Sequence, residues 1–255
     1  MTVALVIPAR YASTRYPGKP LVDLAGRSLI RRSWDAAQAV RGIDRVIVAT
    51  DDERIADHAR SFGAEVAMTS PDCRNGTERV AEALAGTDVE IAVNLQGDAP
   101  LTPPWFVEAL IGALRDDPSV GLATPVLRCD ATTYAMFVED RRAGRVGGTT
   151  AVFGATGDAL YFSKEVIPWI DPSKLPDPPP VWHHVGVYAY RPAALSAYLA
   201  WPEGRLERLE GLEQLRFLEN GHPVRCVEVD ARGRVFWEVN NPADVPRVEA
   251  ALAAT

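Results

Sequence analysis

Val3 to Ile7 is an uninterrupted aliphatic run that ends at Pro8. A strand that is apolar at every position buries both faces, so this segment predicts a central parallel strand giving way at once to a loop. Leu29 to Val40 carries apolar residues at helical spacing and Arg45 to Ala49 is a second apolar run. Residues 3 to 49 therefore predict a β-loop-α-β unit. The pattern continues with a short helix from Ile55 to Phe62, a strand from Glu65 to Met68, a helix from Thr77 to Leu84 with Thr77 as N-cap, and a fourth buried strand from Ile91 to Leu95 that stops at Gln96-Gly97-Asp98. Such alternation implies right-handed crossovers and an α/β fold, a doubly wound, mostly parallel sheet.

Past residue 120 the pattern changes. Val120–Leu127, Thr150–Phe153, Ala159–Phe162 and Val185–Tyr190 are strand candidates with no long helices between them, which predicts a smaller antiparallel or mixed extension over roughly residues 122–200. Pro172 to Pro180 contains five prolines and reads as an extended loop, a lid or an oligomer contact, without helix or strand. Helical periodicity resumes from Arg208 to Glu219 and from Pro242 to Ala253. With neither repeat nor linker, residues 1–255 are expected to form one domain.

Open sheets of this kind bind ligands at the carboxyl ends of their strands, and the polar motifs fall there. Arg10, Ser13, Arg15 and Lys19 follow the first strand, Asn75, Gly76 and Arg79 follow the strand at 65–68, and Gln96 and Asp98 follow the strand at 91–95. The run Pro8-Ala9-Arg10-Tyr11-Ala12-Ser13-Thr14-Arg15-Tyr16-Pro17-Gly18-Lys19-Pro20 sets three cations within ten residues on a loop rich in small residues. Arginine forks, a lysine point charge and close backbone N–H groups are what a triphosphate requires; the plainer alternative is a solvated basic loop. Neither the GxxxxGK[ST] nor the GxGxxG spacing is present.

Bulk composition narrows the field. The chain has 255 residues, 47% hydrophobic, with a formal net charge of -7 and a pI near 5.2. That acidity excludes a general nucleic-acid surface, which needs a cationic excess. Cys73, Cys129 and Cys226 are dispersed without CxxC spacing or neighbouring histidines, so neither a zinc site nor a disulfide framework is expected. A reducing, cytoplasmic setting follows. No stretch approaches the roughly 18 to 20 apolar residues of a membrane span, and the N-terminal run is too short for a signal segment, so no membrane partner is expected.

The N-terminal loop resembles the signature of sugar-acid cytidylyltransferases, in particular the 3-deoxy-manno-octulosonate (Kdo) cytidylyltransferases. Further matches run in order along the chain: Lys19-Pro20-Leu21 with Gly26, Val46-Ile47-Val48-Ala49-Thr50-Asp51, Gly76-Thr77-Glu78-Arg79, Gln96-Gly97-Asp98, Ala159-Leu160-Tyr161-Phe162-Ser163, Ile167-Pro168-Trp169, His184-Val185-Gly186-Val187-Tyr188 and Leu212-Glu213-Gln214-Leu215-Arg216. The resemblance implies a Rossmann-like nucleotidyltransferase fold akin to glycosyltransferase A. It also implies a reaction in which an acceptor hydroxyl attacks the α-phosphorus of CTP and pyrophosphate leaves, so that positioning and charge neutralisation carry the catalysis.

By that resemblance Arg10, Lys19 and Asp98 are the catalytic residues. Pro8, Ala9, Arg10, Ser13, Lys19, Thr50, Asn75, Gly76, Arg79 and Gln96 would bind the nucleotide. Arg15, Gln96, Lys164, His184, Tyr188, Glu213 and Gln214 would form a cationic, hydrogen-bonding pocket for the acid. Asp98 and Asn240 would hold Mg2+, and a homodimer is implied. The bland readings are an N-cap or turn aspartate for Asp98, a structural histidine for His184 and a solvated helix face for Glu213 and Gln214.

The chain departs from the family at three places. Ala99 stands in a Gln-Gly-Asp-Glu-Pro motif, Asn240 in a Val-Asp-Thr-Pro motif, and the Asn-Val-Lys-Val segment falls near Gly147-Gly148-Thr149-Thr150. A neutral carbonyl at Asn240 should weaken Mg2+ coordination. Three readings follow: CTP-dependent cytidylyl transfer to Kdo; the same chemistry on another acid, such as an amino-substituted Kdo, a different 2-keto sugar acid or a small phosphonate; and a degenerate nucleotide binder without turnover.

Overall fold

The structure is a computed structural model and describes residues 1–12, 16–146, 148–234, 236–239 and 241–253. The first half of the chain contains β1 (Val3–Ala9), the short hairpin β2 (Asp23–Leu24) and β3 (Arg27–Ser28), α1 (Leu29–Gln38), β4 (Arg45–Thr50), α2 (Glu53–Ser61), β5 (Glu65–Met68), α3 (Gly76–Ala83), β6 (Ile91–Leu95) and α4 (Pro104–Asp116). The second half contains β7 (Leu122–Arg128), α5 (Ala131–Arg142), β8 (Thr149–Phe153), β9 (Ala159–Ser163), β10 (Trp182–His184), β11 (Val187–Tyr190), α6 (Pro192–Ala200), α7 (Arg205–Glu210), α8 (Leu215–Glu219), β12 (Arg225–Glu228) and α9 (Val245–Ala253).

Ten strands form one sheet in the order β5-β4-β1-β6-β11-β7-β10-β8-β9, with β12 paired to β7. The β5-β4-β1-β6 half is parallel throughout, and β11, β7, β10, β8 and β9 continue it antiparallel. All seven residues of β1 are buried because the strand is covered on both faces. Val3, Leu5 and Ile7 pack into one core with Ile30 and Leu110, while Ala4 and Val6 pack into the other with Val80, Tyr190 and Phe217. This period of two explains why β1 reads as a continuous apolar run.

Local rules set the helix ends. Ser28 caps α1 by accepting from Arg31 N, and Asp52 caps α2 by accepting from Arg54 N. Helix α3 begins one residue before the expected start. Its cap is Asn75, which accepts from Glu78 N at 2.9 Å, and Thr77 lies inside the first turn.

The second half departs more from expectation. Helix α5 interrupts the expected strands there, and α4, α6 and β12 were not anticipated. The strand expected over 185–190 starts two residues later, at Val187 of β11, and a separate strand, β10, precedes it and ends at His184. Gly211, in the left-handed region at φ 63°, breaks the helix expected over 208–219 into α7 and α8. The proline-rich loop contains one 3₁₀ turn at Pro172–Lys174, and the C-terminal helix is preceded by another at Pro242–Asp244.

Candidate active site

Parallel register brings the sequence-distant motifs together. Val3 and Val6 of β1 face Ile91 and Asn94 of β6, so the segments leaving both strands emerge side by side. Ser33 on α1 donates to the Gly97 carbonyl at 2.9 Å and holds the turn after β6. A Cβ on Gly97 would stand 2.8 Å from the Pro8 carbonyl oxygen, so the two segments touch backbone to backbone. The result is an ion pair across 79 residues of sequence, with Lys19 Nζ 2.6 Å from Asp98 Oδ2 and side chains 15% and 24% exposed. Asp98 thus caps no helix; it lies in the turn after β6 with its carboxylate paired to Lys19.

A cleft of about 1360 Å³ opens over this pair. One wall is built by Pro8, Ala9, Arg10 and Lys19 from the β1 side, by Asn75, Gly76 and Arg79 at the start of α3, and by Gln96 and Asp98 after β6. The adjoining wall comes from Lys164, His184, Tyr188, Glu213 and Gln214. Helix α3 approaches β6 closely: a Cβ on Gly76 would lie 2.8 Å from Gln96 Nε2. Arg79 is buried, donating to Thr69 Oγ1 and lying 3.4 Å from Asp51 Oδ2, which fixes its guanidinium at the cleft edge. Asn75 also donates from Nδ2 to the Tyr198 hydroxyl at 2.7 Å.

On the adjoining wall, Glu213 Oε2 accepts from Thr77 N at 3.1 Å and Oε1 accepts from Gln96 Nε2 at 3.3 Å, which joins the two walls. Burial raises its carboxyl pKa against the opposing Thr77 hydrogen bonds. Tyr188 donates its hydroxyl to Gln214 Oε1 at 3.0 Å, and burial, then the Glu213 charge, holds that phenol far above its ordinary value. Gln214, 2% exposed, lies in the turn between α7 and α8 and not on a solvated helix face. Burial pushes His184 down to about 3 and His183 down to about 4, so both are neutral. The expected cationic character of this wall therefore rests on Lys164 and on arginines of the same cleft, Arg128, Arg208 and Arg234, and not on His184.

One expected residue falls elsewhere. Thr50 is fully buried at the end of β4, where its hydroxyl accepts from Asp52 N at 3.2 Å; it terminates the strand and does not border the cleft. Ser13, Arg15 and Asn240 lie outside the described residues. The neighbour of Asn240, Val239, donates its N–H to the Asp98 carbonyl at 2.9 Å. Glu238 and Trp237 border the cleft as well, and their place beside the Asn240 motif was the signal that could have found them.

The departures have local explanations. Ala99 is fully buried in the turn after Asp98, where its N–H donates to the Gln96 carbonyl at 3.1 Å. Thr150 turns its hydroxyl to the Glu165 carbonyl at 2.6 Å and accepts from Ile167 N. A Cβ on Gly148 would meet Phe137 Cζ at 2.6 Å, so the aromatic ring of α5 occupies the space that a side chain there would need. Among the described residues no group of three or more His, Cys, Asp or Glu converges as a metal cage, and no helix is long and apolar enough to cross a membrane. The three cysteines are free thiols.

Comparison with known proteins decides the family. A model described as cytidylyltransferase matches residues 4–228. The 3-deoxy-manno-octulosonate cytidylyltransferase of Maricaulis maris (strain MCS10) is 49% identical over 257 residues, covering 100% of this chain and 98% of that protein. The chain belongs to the Kdo cytidylyltransferase family. A second relative of the same name, from Syntrophotalea carbinolica, is 43% identical over 99% of both chains. A solved structure described as CMP:2-keto-3-deoxy-manno-octonic acid synthetase complexed with CTP superposes with a TM-score of 0.87 at 36% identity, covering 100% of this chain and 99% of that one. The 4-diphosphocytidyl-2C-methyl-D-erythritol synthase of Anaerococcus prevotii shares the fold at a TM-score of 0.61 and 15% identity.

Proposed function

We propose that this chain transfers CMP from CTP to the hydroxyl of Kdo, releasing pyrophosphate and forming CMP-Kdo. The observation that carries the reading is the Lys19–Asp98 pair in a cleft that also gathers Arg10, the start of α3 and Gln96. Arg10 and Lys19 neutralise the triphosphate, with Pro8, Ala9, Asn75, Gly76 and Gln96 as nucleotide neighbours and Arg79 at the base. Lys164, Tyr188, His184, Glu213 and Gln214 hold the acid. Attack at the α-phosphorus needs the two reactants aligned and the developing charge met by fixed cations, and Lys19, at the start of the 3₁₀ turn Lys19–Leu21 and tied to Asp98, is one such fixed cation.

The donor set fits a magnesium ion. Mg2+ keeps much of its water and takes one or two protein carboxylates plus substrate phosphates, not an all-protein cage. Asp98 is the carboxylate that would hold it, with Asn240 as a second, neutral oxygen, and the bound ion would neutralise charge on the phosphate oxygens. Ser13 and Arg15 belong to the same phosphate and acceptor loop. In this reading residues 1–255 act as one domain, residues 122–200 carry acceptor and dimer contacts, and the homodimer works in the cytoplasm. Purified protein given CTP, Mg2+ and Kdo is expected to release pyrophosphate and accumulate CMP-Kdo; no release above background would reject the proposal.

A further inference from the structure

Thr124 on β7 has one hydroxyl proton and three neighbours within reach. The Val187 carbonyl lies at 2.8 Å, the Val185 carbonyl at 3.3 Å and His184 Nε2 at 2.9 Å. Carbonyls only accept. Were the proton given to His184, the Thr124 oxygen would face the Val187 carbonyl lone pair to lone pair at 2.8 Å in a buried site, at the cost of an unmade buried hydrogen bond. The proton therefore goes to Val187, and Thr124 Oγ1 accepts from His184 Nε2–H.

A neutral imidazole has a single N–H, so Nδ1 keeps its lone pair. Burial, His184 being 6% exposed, disfavours the imidazolium. The ring is also fixed in orientation, with centroids 5.0 Å from Phe162 and 5.6 Å from Tyr188. Among the described residues Nδ1 has no hydrogen-bond partner, and His184 borders the cleft.

Building on the function proposed above, we infer that Thr124 is a positioning residue that presents His184 Nδ1 to the cleft as a hydrogen-bond acceptor. This wall then reads a hydroxyl hydrogen of the polyol acid, and its carboxylate is left to Lys164 and the arginines. Glu213, another acceptor, lines the same wall, so the polarity of the pocket is divided by residue: donors are required of the ligand at His184 and Glu213, and anionic oxygens at Lys164 and the arginines.

Two measurements on the full chain test this. Long-range 1H–15N correlation of histidine-labelled protein at pH 7, assigned against His184→Phe, is expected to show the neutral Nε2–H tautomer; an Nδ1–H tautomer or an imidazolium overturns the inference. Thr124→Val removes the oxygen that accepts from Nε2–H. KM for the acid should rise about three- to tenfold, the effect of one neutral hydrogen bond, with kcat and KM for CTP within about twofold. Thr124→Ser should restore the parent values. An unchanged KM for the acid, an equal rise for CTP, or a serine variant as impaired as the valine one would each count against the assignment. Should no acid be turned over, the functional reading falls, while the spectrum still decides this inference: an identical His184 tautomer in the parent and Thr124→Val refutes a positioning role.

Discussion

At the scale of single residues, Lys19 and Asp98 have opposite needs that the cleft reconciles. Each is mostly withdrawn from water and each is the other's partner, so a ligand that separates them must supply replacement charges, which a magnesium triphosphate does on both sides. Lys19→Met should lower kcat/KM for pyrophosphate release by about 10²–10³, the range for losing one fixed charge-stabilising donor. An assay showing less than a threefold loss would remove Lys19 from catalysis. Asn240 is the complementary case. Substituting Asn240→Asp exchanges a neutral oxygen for a charged one, and half-saturating Mg2+ in the same assay should fall on the order of tenfold. Unchanged metal dependence would place residue 240 outside the metal's reach, and a silent parent revived by this change would favour the degenerate-binder reading.

Among the elements, the junction of β1, α1 and the turn after β6 is the most demanding. Gly97 lies with a prospective Cβ 2.8 Å from a backbone oxygen, and backbone cannot swing aside as a side-chain tip can. Gly97→Ala should cost about 1–3 kcal/mol in urea unfolding and depress turnover in parallel, because the strain falls between Pro8 and Asp98. Helices α7 and α8 are joined instead by charge. Arg216, 1% exposed, donates to Glu207 at 2.7 and 2.6 Å, lies 3.5 Å from Glu78 and stacks 3.9 Å from the Tyr198 ring. Arg216→Met leaves two carboxylates short of their partner and should destabilise by about 3–5 kcal/mol; a loss under 1 kcal/mol would show the network to be dispensable.

Legibility in the sequence followed the same division. Strands β1, β4 and β6 are readable because burial on both faces leaves an apolar run in a single segment, and the loops after β1 and β6 carry Arg10, Lys19 and Asp98. Helix α4 is legible in principle, since its buried residues Phe106, Val107, Leu110, Ile111 and Leu114 recur at helical spacing. Helix α5 buries little, with Phe137 its one buried residue, so no apolar stripe marks it. Strand β12 pairs at long range with β7 and depends on a partner 100 residues away in sequence for its identity. The family resemblance places Thr50 in the site; whether a residue at a strand end points into the cleft or caps its own strand is decided by packing, not by position. The pocket that includes His184 reads as cationic, and only burial shows that this member of it is neutral.

For the molecule as a whole, the buried histidines predict how stability depends on pH. His184 is shifted from an ordinary value of 6.5 to about 3, by burial and then by His183, and His183 is shifted to about 4 by burial. Their folded values are depressed, so between pH 6.5 and about 4 the unfolded chain binds more protons than the folded one, and stability falls as pH falls through that window. Above pH 6.5 both states are neutral and this contribution is flat. Glu78 adds a loss in the same direction below its ordinary 4.5. Burial raises its pKa, but the Arg74 hydrogen bonds outweigh burial and lower it, so the stability it gives is lost as pH drops through its folded value. Glu213 runs the other way, since its raised value means that its penalty is relieved as acid is added. The histidines act first on the way down, at up to about 1.4 kcal/mol per pH unit each. Urea unfolding at pH 8.0, 7.0, 6.0 and 5.0 should therefore show declining stability across the last two steps, and His183→Phe should make that decline shallower. A curve as flat between 6.0 and 5.0 as between 8.0 and 7.0 would mean that the histidines are not held neutral in the folded chain.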